Sequence, residues 1–229
     1  MININASYGI VNNPIVSSVI TDASGASVYQ FINLVGKSTD NFFIRADFNK
    51  QVKKINSNIS LSFTYNGSDN YGVSNYVVNR RNYQTYNVSF GITGNKSKAY
   101  DYNFRLEPKV FRSNSTLQSQ LSNNGNGLEG QAGIAVYLPG KVEIRTDAVY
   151  NYQSKTEVFT NSYEALIINA SVVKKILKNE SLKMAISGND IFNQNIGFSR
   201  VSSGTIISQS TYDTISRYFM FTLAWDFSK

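Results

Sequence analysis

Three sets of charged residues recur at a spacing of two: Arg45 and Asp47, then Arg105, Glu107 and Lys109, then Glu143, Arg145 and Asp147. Carboxyl groups beside cations are the raw material of acid–base chemistry. The same spacing suits a wall of solvated ion pairs, or a surface touching an inserted domain or a ligand. The rest of the chain weighs against catalysis. No His and no Cys occur among the 229 residues, which removes the Ser-His-Asp triad, the Cys-His dyad, the usual structural zinc site and any disulfide framework. A carboxylate pair or a lysine is all that remains, so no catalytic, cofactor or metal site is expected. Asp190-Ile191-Phe192-Asn193 reads as a turn capping a strand rather than as a metal loop. Triplets such as Asn114-Ser115-Thr116 read as loop composition.

What must position these charges is a set of β-strands. From Tyr100 to Val110 the even positions are Tyr100, Tyr102, Phe104, Leu106, Pro108 and Val110, and the odd ones are Asp101, Asn103, Arg105, Glu107 and Lys109. No helix separates those two sets onto different faces. The pattern recurs with Ile59, Leu61, Phe63 and Tyr65 against Asn58, Ser60, Ser62 and Thr64. At the C-terminus Phe219, Phe221, Leu223, Trp225 and Phe227 share one face. Extended along the chain, the alternation predicts about ten strands: 2–11, 41–51, 56–66, 83–94, 99–112, 127–138, 141–153, 162–176, 182–188 and 214–227. Helical periodicity is absent. Pro108, which cannot donate to a ladder, predicts a local bulge.

The connections sort into two kinds. Short ones centre near residues 54, 97, 140 and 180, and longer Asn/Ser/Gly/Thr-rich ones cover 12–40, 67–82, 113–126, 154–161 and 189–213. Strict alternation of the two places all short turns at one end of the sheet and all long loops at the other.

Alternation alone permits a soluble β-sandwich with its apolar face in a core, or a transmembrane barrel with that face in lipid. Three features favour the barrel. Short turns and long loops are segregated, as between the periplasmic and extracellular ends of outer-membrane barrels. Aromatic residues crowd strand ends, as in Tyr83/Tyr86, Tyr100/Tyr102, Tyr150/Tyr152 and Trp225/Phe227, where interfacial girdles sit. Of the 14 Lys, 11 lie in or beside the short turns or at the C-terminus: Lys50, Lys53, Lys54, Lys96, Lys98, Lys141, Lys174, Lys175, Lys178, Lys183 and Lys229. The strand charges then belong on the lumen side, since a lipid-facing Arg or Lys at mid-bilayer costs about 2–4 kcal/mol. The expected fold is all-β, an antiparallel up-and-down transmembrane barrel segment filling residues 1–229.

The net charge of +7 would point to nucleic acid in a soluble domain. Removing the 11 turn-side Lys from the 22 basic residues leaves 11 against 15 acids. The excess is therefore a collar at one rim, facing anionic lipid head groups, and no nucleic-acid partner is expected. With 15 Tyr and 14 Phe the chain is no disordered segment, and it holds no apolar run of about 18 residues.

Asn13-Pro14-Ile15-Val16-Ser17-Ser18, Gly25-Ala26-Ser27-Val28-Tyr29, Asn33 to Gly36, Gly188-Asn189-Asp190-Ile191-Phe192-Asn193, and Arg217-Tyr218-Phe219 through Trp225-Asp226-Phe227 carry a family likeness. In their order along the chain they resemble the C-terminal β-barrel portion of TonB-dependent-receptor-like outer-membrane proteins, the Bacteroidota-type outer membrane protein beta-barrel family. The resemblance implies a Gram-negative outer-membrane barrel of about 22 strands around an N-terminal plug, energised through TonB for nutrient uptake. It implies that plug and N-terminal domain precede this segment, with lipid, plug, TonB, the barrel assembly machinery and a ligand as partners. On that pattern Phe219, Phe221, Leu223, Trp225 and Phe227 form a terminal strand recognised in assembly, although Ser228-Lys229 follow the last aromatic. A self-contained ten-stranded barrel of structural or pore function is the alternative, as is an enzymatic barrel, which generally needs the His this chain lacks.

Overall fold

The computed structural model describes every residue except 98, 118–121, 178, 204–205 and 228–229. In chain order the strands are β1 (Ile2–Asn12), β2 (Ile15–Thr21), β3 (Ser27–Asn33), β4 (Ser38–Val52), β5 (Ser57–Ser74), β6 (Val77–Lys96), β7 (Tyr100–Ser115), β8 (Gly125–Leu138), β9 (Val142–Gln153), β10 (Tyr163–Ile176), β11 (Leu182–Asn189), β12 (Ile196–Ser203), β13 (Ile206–Asp213) and β14 (Tyr218–Trp225). Ten of them follow edge to edge in the order β1-β4-β5-β6-β7-β8-β9-β10-β11-β14. Each of these neighbours is antiparallel. The ten expected strands are these ten. The sheet is open: among the described residues β1 pairs only with β4, and β14 only with β11.

Register carries the sequence alternation across the whole sheet. One row runs Phe48, Leu61, Phe90, Leu106, Gly130, Tyr150 and Leu166. Another row, on the opposite face, runs Gln51, Asn58, Thr93, Asn103, Gly133, Asp147 and Asn169. A slip of one residue in any strand would mix the two.

Among the described residues no second layer covers the apolar face. Among the described residues the buried hydrophobic side chains are Val16, Val73, Ala135, Phe159 and Ala165, whereas Phe63, Phe90, Ile134, Ile186 and Phe221 stand exposed and Ile4 is 70% exposed. A water-soluble chain of about this size buries roughly 70–75% of its surface around a core. The sandwich alternative fails on that ground.

The long connections differ from expectation. Segment 12–40 holds the hairpin β2–β3, and 189–213 holds β12–β13. Segment 67–82 is not a loop: β5 and β6 continue to the pair Ser74–Val77 and close through Asn75 and Tyr76, at φ 46° and 66°. Two successive positive φ values are those of a type I′ hairpin turn. Polar composition hid this extension. Its cross-strand partners, an Arg80–Asp69 ion pair and an Asn82 amide donating to Asp69 at 2.9 Å, need no apolar face. The hairpin β2–β3 docks on its tip, where the Asn75 amide donates to the Val19 carbonyl at 2.9 Å.

Pro108 makes no bulge. The pairs Asn87–Lys109 and Phe90–Leu106 flank it in one unbroken register, so the ladder toward β6 loses bonds locally without gaining a residue. The short turns all lie at one end: a 3-10 turn over Lys53–Ile55 between β4 and β5, then the β6–β7, β8–β9 and β10–β11 connections. Beside the first, a Cβ added to Gly94 would stand 2.6 Å from the Tyr102 ring. Only glycine lets that ring lie across the strand, with the Tyr102 hydroxyl hydrogen-bonded to Ser57 Oγ.

Candidate functional site

The three predicted charge sets all fall on the polar face, from β4, β7 and β9. Arg45 Nε donates to Asp47 at 2.8 Å, and Ser62 Oγ on β5 donates to the same carboxylate at 2.6 Å. Arg105 pairs with Glu107 and also donates to Ser89 Oγ on β6 at 3.1 Å. Arg145 pairs with Glu143 at 2.8 Å. These pairs form because residues two apart in a strand project side by side on one face. Lys109 instead reaches across to Glu129 on β8. The sequence reading missed Glu129, although its place in Gly127-Leu128-Glu129-Gly130-Gln131 puts it on polar parity.

The charge sets do not converge on one pocket. Arg45, Asp47, Arg105 and Glu107 line a cavity of about 750 Å³ with Ser62 and Ser89. Arg145 and Asp147 line a separate cavity of about 470 Å³ nearer the short turns, with Asn58, Thr93 and Asn103. Asp47, Glu107 and Glu143 each sit in contact with a cation. Among the described residues no cluster of three or more acidic side chains could hold a metal ion.

The opposite face is apolar between two aromatic rims. Toward the loop end Tyr8, Phe42, Tyr65 and Tyr86 form a ladder of rings at centroid distances of 6.4, 5.4 and 4.8 Å. At the short-turn end Tyr100 lies 6.1 Å from Tyr102, and Trp225 stacks on Phe227 at 4.8 Å. On β6 the stretch from Thr85 to Asn95 has the ~9–11 residues a tilted strand needs to cross hydrocarbon. Tyr83 does not belong to the girdle: it lines a cavity on the polar side with Lys109 and Gln153. Phe219, Phe221, Leu223 and Trp225 all point outward from β14, and Phe227 follows just beyond it, all five exposed. Ser228 and Lys229 lie outside the described residues.

At the loop end the β12–β13 hairpin is fastened by Arg200. Its guanidinium lies 4.9 Å from the Phe159 ring and 4.8 Å from Phe198, and Phe198 stacks on Tyr163 at 4.0 Å. It donates to the carbonyls of Ser154 and Asn161 and to Gln209. Desolvation there pushes its pKa down. Beneath lies a cavity of about 600 Å³ with Tyr83, Thr85, Phe111, Asn123 and Gln153 in its wall. No sequence signal exposed this staple, because its partners come from a different connection. Asp190, by contrast, is the turn expected: its carboxylate accepts from the Gln194 and Asn195 amides at 2.9 and 3.0 Å. Asn193 ties that turn to β14 by accepting from the Arg217 amide at 2.9 Å.

An up-and-down antiparallel sheet with an uncovered apolar face, aromatic rims and a charged, hydrogen-bonded opposite face is the wall of a transmembrane β-barrel. The chain matches the outer membrane protein beta-barrel family over residues 68–225, from the middle of β5 to the end of β14. It belongs to that family, and its place is the cell outer membrane. No curated protein and no solved structure matches it.

Proposed function

We propose that this wall belongs to a TonB-dependent receptor that takes up a scarce nutrient through a wider barrel, about 22 strands around, closed on a plug domain. The open sheet carries the reading. Backbone edges cannot stay bare in hydrocarbon, and further strands beside β1 and β14 would satisfy both. The polar face supports it too. Arg45–Asp47, Arg105–Glu107, Lys109–Glu129 and Arg145–Glu143 are paired within the wall, and β10 and β11 turn small side chains such as Ser171, Ala185 and Ser187 inward, leaving room for a plug. On this reading the polar face performs no catalysis, and the loop-end cavity under Arg200 is where a ligand is first met. The outward aromatic row of β14 is the element presented to the barrel assembly machinery.

A self-contained ten-stranded pore is the second reading, because an even number of antiparallel strands leaves β1 and β14 antiparallel to each other. One experiment separates them. The native chain has no Cys, so Ala6→Cys can be combined in turn with Phe219→Cys, Phe221→Cys or Leu223→Cys in the protein as cells make it. The receptor reading expects no β1–β14 disulfide in any register, together with nutrient uptake that stops when TonB is removed. A disulfide between the two edges, or uptake indifferent to TonB, would sink it.

A further inference from the structure

The lysines gathered at the short-turn end are not equivalent. Lys141 and Lys175 share Glu180, at 3.5 and 3.1 Å, and Lys174 Nζ donates to the Gly140 carbonyl. Lys98, Lys178 and Lys229 lie outside the described residues. Lys50, Lys53, Lys54 and Lys96 are exposed and, among the described residues, have no carboxylate in ion-pair contact.

These four sit in or beside two adjoining turns. The Asn56 side-chain amide donates to the Asn95 carbonyl at 2.6 Å and to Asn95 Oδ1 at 2.9 Å, tying the β4–β5 turn to the end of β6. Lys50 stands opposite Ile59, and Lys96 opposite Tyr100, so both lie on the apolar face. Lys50 follows Phe48 and Lys96 follows Ile92 and Gly94 along that face, at the edge of the lipid-facing band. Lys53 and Lys54 open the exposed 3-10 turn that follows β4. A lysine is a flexible point charge whose stem lies along apolar surface while its head reaches the interface.

We propose that Lys50, Lys53, Lys54 and Lys96 form a binding site for anionic phospholipid head groups in the periplasmic leaflet of the outer membrane. The acyl chains of such a lipid lie against Ile59, Ile92 and Phe90, and its phosphate meets ammonium groups that no protein carboxylate neutralises. The collar is thus a local cluster at the β4–β5 and β6–β7 turns, independent of what the barrel transports.

The test reconstitutes the full chain in phosphatidylcholine vesicles and measures, by electron paramagnetic resonance, the association of spin-labelled phosphatidylglycerol and phosphatidylcholine. The wild type should retain phosphatidylglycerol about fivefold or more over phosphatidylcholine at low salt, with the preference fading as salt rises. The variant K50Q/K53Q/K54Q/K96Q should bring the ratio to about one, while K141Q/K174Q/K175Q keeps the preference. Inorganic phosphate should lower the ratio no more than sodium chloride does at the same ionic strength. Equal retention of both lipids by the wild type, equal loss in both variants, or displacement of the lipid by inorganic phosphate beyond that caused by sodium chloride at the same ionic strength would overturn the proposal.

Discussion

The two faces of each strand are built from neighbouring residues, yet they obey different rules. Phe63 and Ser62 are adjacent in sequence. Phe63 lies in register between Ala46 and Val88, whereas Ser62 faces Asp47 and Ser89. On the apolar face the side chains hold one another through ring contacts and close backbone approach, with none of the described residues above them. On the polar face Asp47, Glu107, Lys109 and Arg145 are each fixed by a hydrogen bond or ion pair from their own strand or the next. Water therefore lies on one side of the sheet only. Paired charges with hydroxyl partners suit a wet lumen, and an uncovered apolar sheet is stable only against hydrocarbon.

A charge placed on the wrong face should do the most damage. Phe63→Arg should destabilise the protein in vesicles by about 2–4 kcal/mol, while Ser62→Arg should stay within about 1 kcal/mol. Equilibrium urea unfolding reads both. Glycines sharpen the contrast at smaller cost. At Gly94 a side chain meets the Tyr102 ring at 2.6 Å, whereas at Gly133 on the polar face it meets only the Asn103 amide oxygen, also at 2.6 Å. The ring is held by Ser57 and the amide can swing away. Gly94→Val should therefore cost about 1–3 kcal/mol by overpacking, and Gly133→Ala much less, in the same unfolding experiment.

Single ion pairs on the wet face should matter less still. Asp47→Asn leaves Arg45 half in solvent, and the expected loss is about 0–1 kcal/mol. The smallest effect belongs to the short turns. Lys175 and then Lys141 hold the Glu180 carboxyl below the ordinary glutamate value of 4.5. A carboxylate depressed by folding stabilises fully above its unfolded pKa and loses that contribution as pH falls through the folded one. Thermal unfolding of wild type and Glu180→Gln should thus differ slightly at neutral pH and converge below pH 4.5.

Sequence alternation was enough to place the ten wall strands and the face on which every predicted charge lies, because period two is imposed directly by the pleat. Three things lay beyond it. The β2–β3 and β12–β13 hairpins and the outer half of β5–β6 stand above the lipid-facing band, where no strict apolar face is required and short strands with Ser, Thr, Asn and Gln look like loops. Tyr83 was assigned to the girdle by residue type, yet its odd position places it with Thr85 and Asn87 on the polar side. Lys109–Glu129 and the Arg200 staple join residues distant in sequence, so only the register and the folded-back hairpin bring them together.

The central claim is that odd and even positions of the same strand meet different solvents. Single cysteines at 59 through 65 on β5, each the only thiol in the chain, can be spin-labelled in the folded, membrane-embedded protein. Collision with oxygen, which concentrates in lipid, should peak at 59, 61, 63 and 65. Collision with a water-soluble nickel complex should peak at 60, 62 and 64. An inverted phase, or no alternation at all, would contradict the account.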